Sequence, residues 1–308
     1  MIVTVTPNPS LDRTLVLATR LRPGQVHRAT ASRTEASGKG VNVTRVLRAN
    51  GIDSTAVLPL GGAAGAELRA LLVAQQVPFA AVPIAGRIRG NVTVLDGRSG
   101  TTKLNEPGPE LSAAEIDELV ATTAKAVRTS QARWLAICGS LPPGAPPGLV
   151  TRLVAAGHAG GAAVAVDSSG AGLAEAVRAG ADLVAPNGEE LAELAGQPVT
   201  GPDSAAEAAA NLFSGTALVS LGELGAVLVR PNGTAMHAVP PPVTVVNTAG
   251  AGDALLAGWL AAEGPAAARL ARAVAWGTGA CLAEGTAELP GHPVAPELVT
   301  TTELEERA

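Results

Sequence analysis

The chain has 308 residues, a net charge of −5, 47% hydrophobic residues and only 2% aromatics. That hydrophobic fraction suffices for a large α/β core, while few aromatic rings and no basic surplus argue against stacking on nucleic acid or attraction to an anionic membrane. Cys138 and Cys281 lie far apart with no Cys or His cluster, which indicates neither a disulfide framework nor a zinc site, and the lack of a basic-then-apolar leader gives the expectation of a cytoplasmic protein.

In chain order, residues 2–6 read as a short β-branched strand that Pro7-Asn8-Pro9 ends abruptly, with Asp12 just beyond. Residues 13–17 and 26–33 alternate polar and apolar side chains around Pro23-Gly24, the pattern of a peripheral strand pair with one wet face. Ala36-Ser37-Gly38-Lys39-Gly40-Val41-Asn42 is a glycine turn entering an amphipathic helix that ends near Asn50-Gly51. It is not a Walker-type phosphate loop, because Arg33 occupies the first glycine position and Gly40 the hydroxyl position.

From residue 55 the rhythm is strand 55–60, helix 65–75 and strand 78–84. Strands 89–95 and 101–105 then flank Asp96-Gly97-Arg98-Ser99-Gly100 as a hairpin. Ser112 and Glu115 form a capping pair for a helix to about residue 129. Strands 134–138, 162–167 and 182–185 alternate with helices 148–156, 173–179 and 189–195. A second capping pair, Ser204 and Glu207, is expected to open a helix to residue 212. Strands 217–221, 226–230 and 235–239 follow, and the residues after Pro296 read as a weakly ordered helix.

Apolar strands alternating with helices imply a mostly parallel sheet, whose ligand sites lie beyond the strand C-termini. Asp12, Gly139-Ser140, Asp167-Ser168, Asn187, Ser220-Leu221-Gly222 and the turn at residues 250–253 all fall there. In that turn Gly250, Ala251 and Gly252 are expected to leave backbone N–H groups open at the start of an apolar helix, where the helix dipole favours an anion. Asp253 would face the same space and could take a proton from an attacking hydroxyl while the N–H groups hold a phosphoryl group. Alone, the four residues read more readily as an Asp-capped helix start with small residues for close packing.

Gly38-Lys39-Gly40-x-Asn42, paired with Gly250-Ala251-Gly252-Asp253, resembles the double signature of the PfkB, or ribokinase-like, carbohydrate kinases. Asn8-Pro9-Ser10-Leu11-Asp12, Arg89-x-Asn91, Asn105-Glu106-Pro107-Gly108-Pro109, Gly139-Ser140-Leu141-Pro142-Pro143-Gly144 and Ser220-Leu221-Gly222 resemble its phosphofructokinase branch. The resemblance spans the chain and implies one ribokinase-like kinase domain over residues 1–308. Its fold would be a three-layer α/β sandwich with a mostly parallel central sheet. A small β-sheet lid, built from about 13–33 and 89–105, would cover the sugar and form a homodimer contact.

By the same resemblance Asp253 is the catalytic base and Gly250, Ala251 and Gly252 the anion hole. Asp12, Gly38 and Asn42 would hold sugar hydroxyls, with Ser140 also on the substrate side. Asn187 and Glu190, an N-x-x-E pair, would place Mg²⁺ and its waters near the nucleotide phosphates, while Ser220, Gly222 and Gly225 line the ATP site. Ala185, where many relatives have Lys, removes one contact to those phosphates, and Ser37, Ala254 and Asn247 also depart from common family residues. The implied reaction is transfer from MgATP to a phosphorylated ketohexose: fructose 1-phosphate first, then tagatose 6-phosphate or fructose 6-phosphate. A non-catalytic sugar-phosphate or nucleotide sensor is the alternative from another class, which the intact Asp253 and N-x-x-E disfavour.

Lys39, Arg89 and Lys103 are expected around one mouth of the sheet as partners for the substrate phosphate, Arg as a bidentate fork and Lys as a point charge. Lys103 reads equally as a solvated surface charge. His27, His158, His237 and His292 carry no general-base pattern and are expected in surface or capping roles.

Overall fold

The computed structural model describes residues 1–97, 100–289 and 294–304, so Arg98, Ser99 and His292 lie outside the described residues. A ten-stranded sheet forms the centre of the molecule. Its first strand, β1 (Ile2–Val5), is flanked on one side by β4 (Ser54–Leu60) and β5 (Phe79–Pro83). On the other side follow β8 (Trp134–Cys138), β9 (Ala163–Asp167), β10 (Leu183–Val184), β11 (Thr216–Ser220), β12 (Ala226–Val229), β13 (Ala235–Val239) and β14 (Thr300–Leu304). Pairing is parallel from β5 to β11 and antiparallel from β11 to β14.

Strands such as β8, with Leu135 and Ile137 on one face and Ala136 and Cys138 on the other, are buried on both sides and therefore need helices over both. The larger core joins the sheet to α2 (Gly62–Ala74), α3 (Ala113–Ser130), α4 (Leu149–Ala159), α5 (Gly170–Arg178), α6 (Gly188–Ala195) and α7 (Pro202–Leu212). The opposite face is covered by α1 (Lys39–Ala49), α8 (Ala251–Ala261) and α9 (Ala266–Ala280). Among the described residues no helix is long and apolar enough to cross a membrane.

A separate four-stranded sheet has the order β3 (Ala29–Ser37), β2 (Ser10–Leu17), β6 (Arg89–Leu95), β7 (Thr101–Asn105). The two expected peripheral strand pairs therefore join into one sheet, with β2 and β6 parallel and the outer pairs antiparallel. β2 begins at Ser10, so Asp12 lies inside a strand, and β3 runs on to Ser37, directly into the glycine turn that starts α1.

Two expectations need correction, and one helix is new. Ser204 does not start α7; Gly201 is its N-cap and Pro202 its first residue, which puts Ser204 at the third position, where its Oγ accepts from Thr200 and Gly201 N–H groups. The segment after Pro296 is one short 3-10 turn followed by β14 on the edge of β13, not a helix. Helix α9 was not anticipated from the sequence at all.

Candidate active site

The two helix starts that frame the site are shaped by glycines. Gly38 adopts φ +122°, and a Cβ there would stand 2.8 Å from Thr6 Cγ2; one on Gly40 would stand 2.5 Å from Thr6 Oγ1. The start of α1 thus lies directly on the end of β1, secured by a hydrogen bond from Thr4 Oγ1 to Gly40 O at 2.9 Å. This close approach carries Asn42 to α8, where its Nδ2 donates to Asp253 Oδ2 at 2.7 Å across a buried gap.

At the second start, Gly250 is the left-handed N-cap of α8 (φ +79°), and a Cβ on it would meet Ala287 N at 2.5 Å. Ala251 N–H is spent within the turn on Thr248 O at 3.2 Å, so the expected row of three open donors is corrected. The N–H groups at the second and third helix positions, Gly252 and Asp253, lack an intrahelical acceptor by construction, and nothing lies within 4 Å of a Cβ built on Gly252. An anion can approach there unobstructed.

Asp253 is buried, and among the described residues only Asn42 donates to its carboxyl, leaving Oδ1 without a protein donor. Burial, reinforced by the charge of Asp167, pushes its pKa up to about 7, against the opposing pull of Asn42 and Lys39. Lys39 Nζ donates to Asp167 Oδ1 at 2.6 Å and stands 3.9 Å from Glu190 Oε1. Burial works against the Lys39 ammonium, but Asp167, Glu190 and Asp253 outweigh it and hold its pKa above the usual lysine range.

Asn187 and Glu190 cap α6 reciprocally: Glu190 N donates to Asn187 Oδ1 at 2.8 Å and Asn187 N to Glu190 Oε2 at 2.9 Å. Glu190 Oε1 is left to face Lys39. Burial raises the Glu190 pKa, partly offset by the Asn187 N–H and Lys39. Ser220 is the bridge partner of Asn187, and Leu221 N closes on Gly225 O at 2.8 Å in the turn that follows. Gly222 (φ +60°) has open space around it, whereas Gly225 (φ +86°) sits against Ala238 O. The expected nucleotide residues are therefore one contiguous patch.

On the small sheet, register places Ser10 beside Arg89, Asp12 beside Asn91 and Thr93 beside Lys103, all on one face. Asp12 Oδ1 accepts from Ser10 Oγ at 2.7 Å and from Asn91 Nδ2 at 2.9 Å. Arg89 is partly buried with its Nε unpartnered; burial lowers its pKa while Asp12 counteracts. Lys103 shares this face but stands on the fully exposed strand β7. Asn8 Nδ2 reaches Pro107 O (3.0 Å), Leu141 O (3.3 Å) and Ser140 Oγ (3.4 Å), gathering three loops at the end of β1.

Lys39 pairs with Asp167 and lies near Glu190, whereas Arg89 feels the charge of Asp12 on the small sheet. From the sequence Asp167 is only a strand-end residue, and Asn8, Ser10 and Asn91 are only members of motifs. Nothing local marks Asp167 as a neighbour of Lys39, 128 residues away.

A buried carboxyl with a raised pKa at an anion-binding helix start is the layout of a phosphotransferase acting on an alcohol. The chain belongs to the pfkB family carbohydrate kinases, whose family model matches residues 6–290. It is 39% identical over 266 residues to the 1-phosphofructokinase of Rhodobacter capsulatus, covering 83% of this chain and 82% of that one. The 1-phosphofructokinase of Haloferax volcanii is 40% identical over 266 residues, 85% of this chain and 84% of its own. Phosphofructokinase-2 from Escherichia coli, solved in complex with fructose-6-phosphate, superposes with TM-score 0.83 at 33% identity, over 91% of this chain and 93% of that one. The chain is therefore a kinase that transfers a phosphoryl group to a sugar hydroxyl.

Proposed function

We propose that the chain phosphorylates fructose 1-phosphate at its 6-hydroxyl with MgATP, giving fructose 1,6-bisphosphate and ADP. The observation that carries this is the free Oδ1 of Asp253 beside the open N–H groups of Gly252 and Asp253. The sugar oxygen forms the new P–O bond as the bond between the γ-phosphorus and the ADP oxygen breaks, and its proton passes to Asp253 Oδ1. The two N–H groups bear the charge on the phosphoryl oxygens. Similarity to the two 1-phosphofructokinases supports fructose 1-phosphate as acceptor. Likeness to the fructose-6-phosphate complex keeps that sugar as the second reading.

Asp12, Ser10, Asn91 and Arg89 present the polar face of the small sheet as a lid over the sugar. Arg89, with a buried unpaired Nε, is the partner for the phosphate already on it. Gly38, Asn42 and Ser140 complete the sugar side; Ser220, Gly222 and Gly225 form the nucleotide side. Among the described residues there is no cluster of three or more metal-ligating side chains. Mg²⁺ needs no such cluster, because it keeps its waters and takes one or two carboxylates plus substrate phosphates. Asn187 and Glu190, which cap α6 together, would place it through water and the ATP phosphates, and the ion would neutralise charge on the nucleotide phosphates. Association of two copies through this sheet belongs to the same proposal.

Coupled ADP release with fructose 1-phosphate, tagatose 6-phosphate, fructose 6-phosphate and ribose tests the assignment. The highest kcat/KM should fall on fructose 1-phosphate. Binding of sugar phosphate without turnover of any sugar would instead mark a sensor.

A further inference from the structure

We infer that Glu288 is a positioning residue that clasps lid strand β3 to the anion-binding turn, so that lid and phosphate site are set in place together; this rests on the kinase reading above. Glu288 Oε1 accepts from Arg33 Nη2 on β3 at 2.6 Å, across 255 residues of chain, and stands 3.7 Å from Arg45 Nη2 on α1. Arg33 Nη2 is also 2.9 Å from Glu35 Oε1, and Glu35 is buried opposite Asp12 in the β2–β3 register. Arg45 Nη1 donates to Thr286 O at 3.4 Å. Two guanidinium groups thus meet two carboxylates in a cluster that neutralises itself, which makes it a tie between elements rather than a seat for a charged ligand.

The same loop is stitched to the phosphate turn on its other side. Ala287 N donates to Ala249 O at 3.1 Å, and Asn247 Nδ2 to Glu284 O at 3.0 Å. Gly250 lies so near that a Cβ on it would stand 2.5 Å from Ala287 N, so neither residue can move without the other. Asn42, which donates to Asp253, precedes Arg45 by one turn of α1. Residues 284–288 are therefore where the lid strand, the helix that orients the base and the anion-binding turn are joined.

Arg33 and Glu288 are both partly exposed, and such pairs add little to stability. Their leverage is geometric. A displacement of about 1 Å between acceptor and phosphoryl group is enough to slow transfer severely, and this contact fixes the lid relative to that group.

The test is a double-mutant cycle with Arg33→Gln and Glu288→Gln, read by kcat, both KM values and hydrogen exchange of the ligand-free chain. Each single variant should lower kcat about three- to tenfold, with the KM for ATP unchanged within about twofold, and the double variant should lose no more than either single. Arg33→Lys, which keeps the charge, should retain most of kcat. Exchange should rise both in 29–37 and in 247–252. Additive losses, exchange confined to β3, or a lowered melting temperature with unchanged kcat would each overturn the clasp. Absence of turnover in the wild type would overturn the kinase reading instead, and the exchange data would still decide the clasp.

Discussion

Replacing Asp253 by Asn should stabilise the ligand-free protein above neutral pH. The carboxyl ordinarily titrates at 3.8, and burial beside Asp167 pushes it up to about 7 in the fold. The folded state therefore holds a proton that the unfolded chain releases, so between these two values unfolding becomes easier as pH rises. The penalty is absent below about pH 4 and complete above about pH 7. A difference of about three pKa units corresponds to at most about 4 kcal/mol. Asn cannot ionise, yet its side-chain oxygen can still accept from Asn42, so the variant should escape most of this, about 2–4 kcal/mol at pH 8. With an unfolding entropy of about 2.1 cal/mol/K per residue, 1 kcal/mol shifts the melting temperature of a 308-residue chain by about 1.5 °C. Calorimetry on both proteins from pH 5 to pH 8.5 should show a gain of about 3–6 °C at pH 8, shrinking to about a third at pH 5. A difference that does not change with pH, or a less stable variant at pH 8, would refute the raised pKa.

Arg89→Ala should raise the KM for the sugar phosphate about ten- to a hundredfold, the loss of about 1.5–3 kcal/mol from a charge-assisted hydrogen bond, with the KM for ATP nearly unchanged; equal losses would move Arg89 off the sugar side. Lys39→Met removes a charge that lowers the Asp253 pKa, so the acidic limb of the kcat/KM profile, near pH 7 in the wild type, should move to higher pH, and an unmoved limb would contradict the contact chain through Asp167. Gly250→Ala should cost about 1–3 kcal/mol in a melting experiment, because its φ is +79° and Ala287 stands in the way. Gly252→Ala, where the space is open, should leave the melting temperature alone but depress kcat by filling the anion's place.

What could be read from the sequence followed from local rules. Strands 89–95, 101–105, 134–138 and 235–239 coincide with β6, β7, β8 and β13, because Gly, Pro or Asp next to one end of each leaves little choice of end point there. The capping pair at Ser112 is also a local device, and it was found. Helix α9 escaped because its seat depends on tertiary contact. Gly258 of α8 lies against Ala273, and Gly277 of α9 lies against Ala251 and Leu255, so two Ala-rich helices approach through glycines that locally read as breakers. β14 is polar except for Leu304 and is a strand because β13 offers an edge. In the site, the motifs located Asp253, Asn42 and Asn187, whose partners are near or carried by a second motif. The Lys39–Asp167 pair joins residues 128 apart on different elements, and neither periodicity nor spacing encodes that.

The central claim is that Asp253 takes the proton of a sugar hydroxyl held at the start of α8. Its most direct test is kcat for Asp253→Asn with MgATP and fructose 1-phosphate at pH 8, alongside calorimetric binding of each substrate. A loss on the order of 10²–10⁴ in kcat is expected, with both substrates still bound. A variant that keeps more than about a tenth of the wild-type kcat would show that this carboxyl does no more than hold Asn42 at the start of α8.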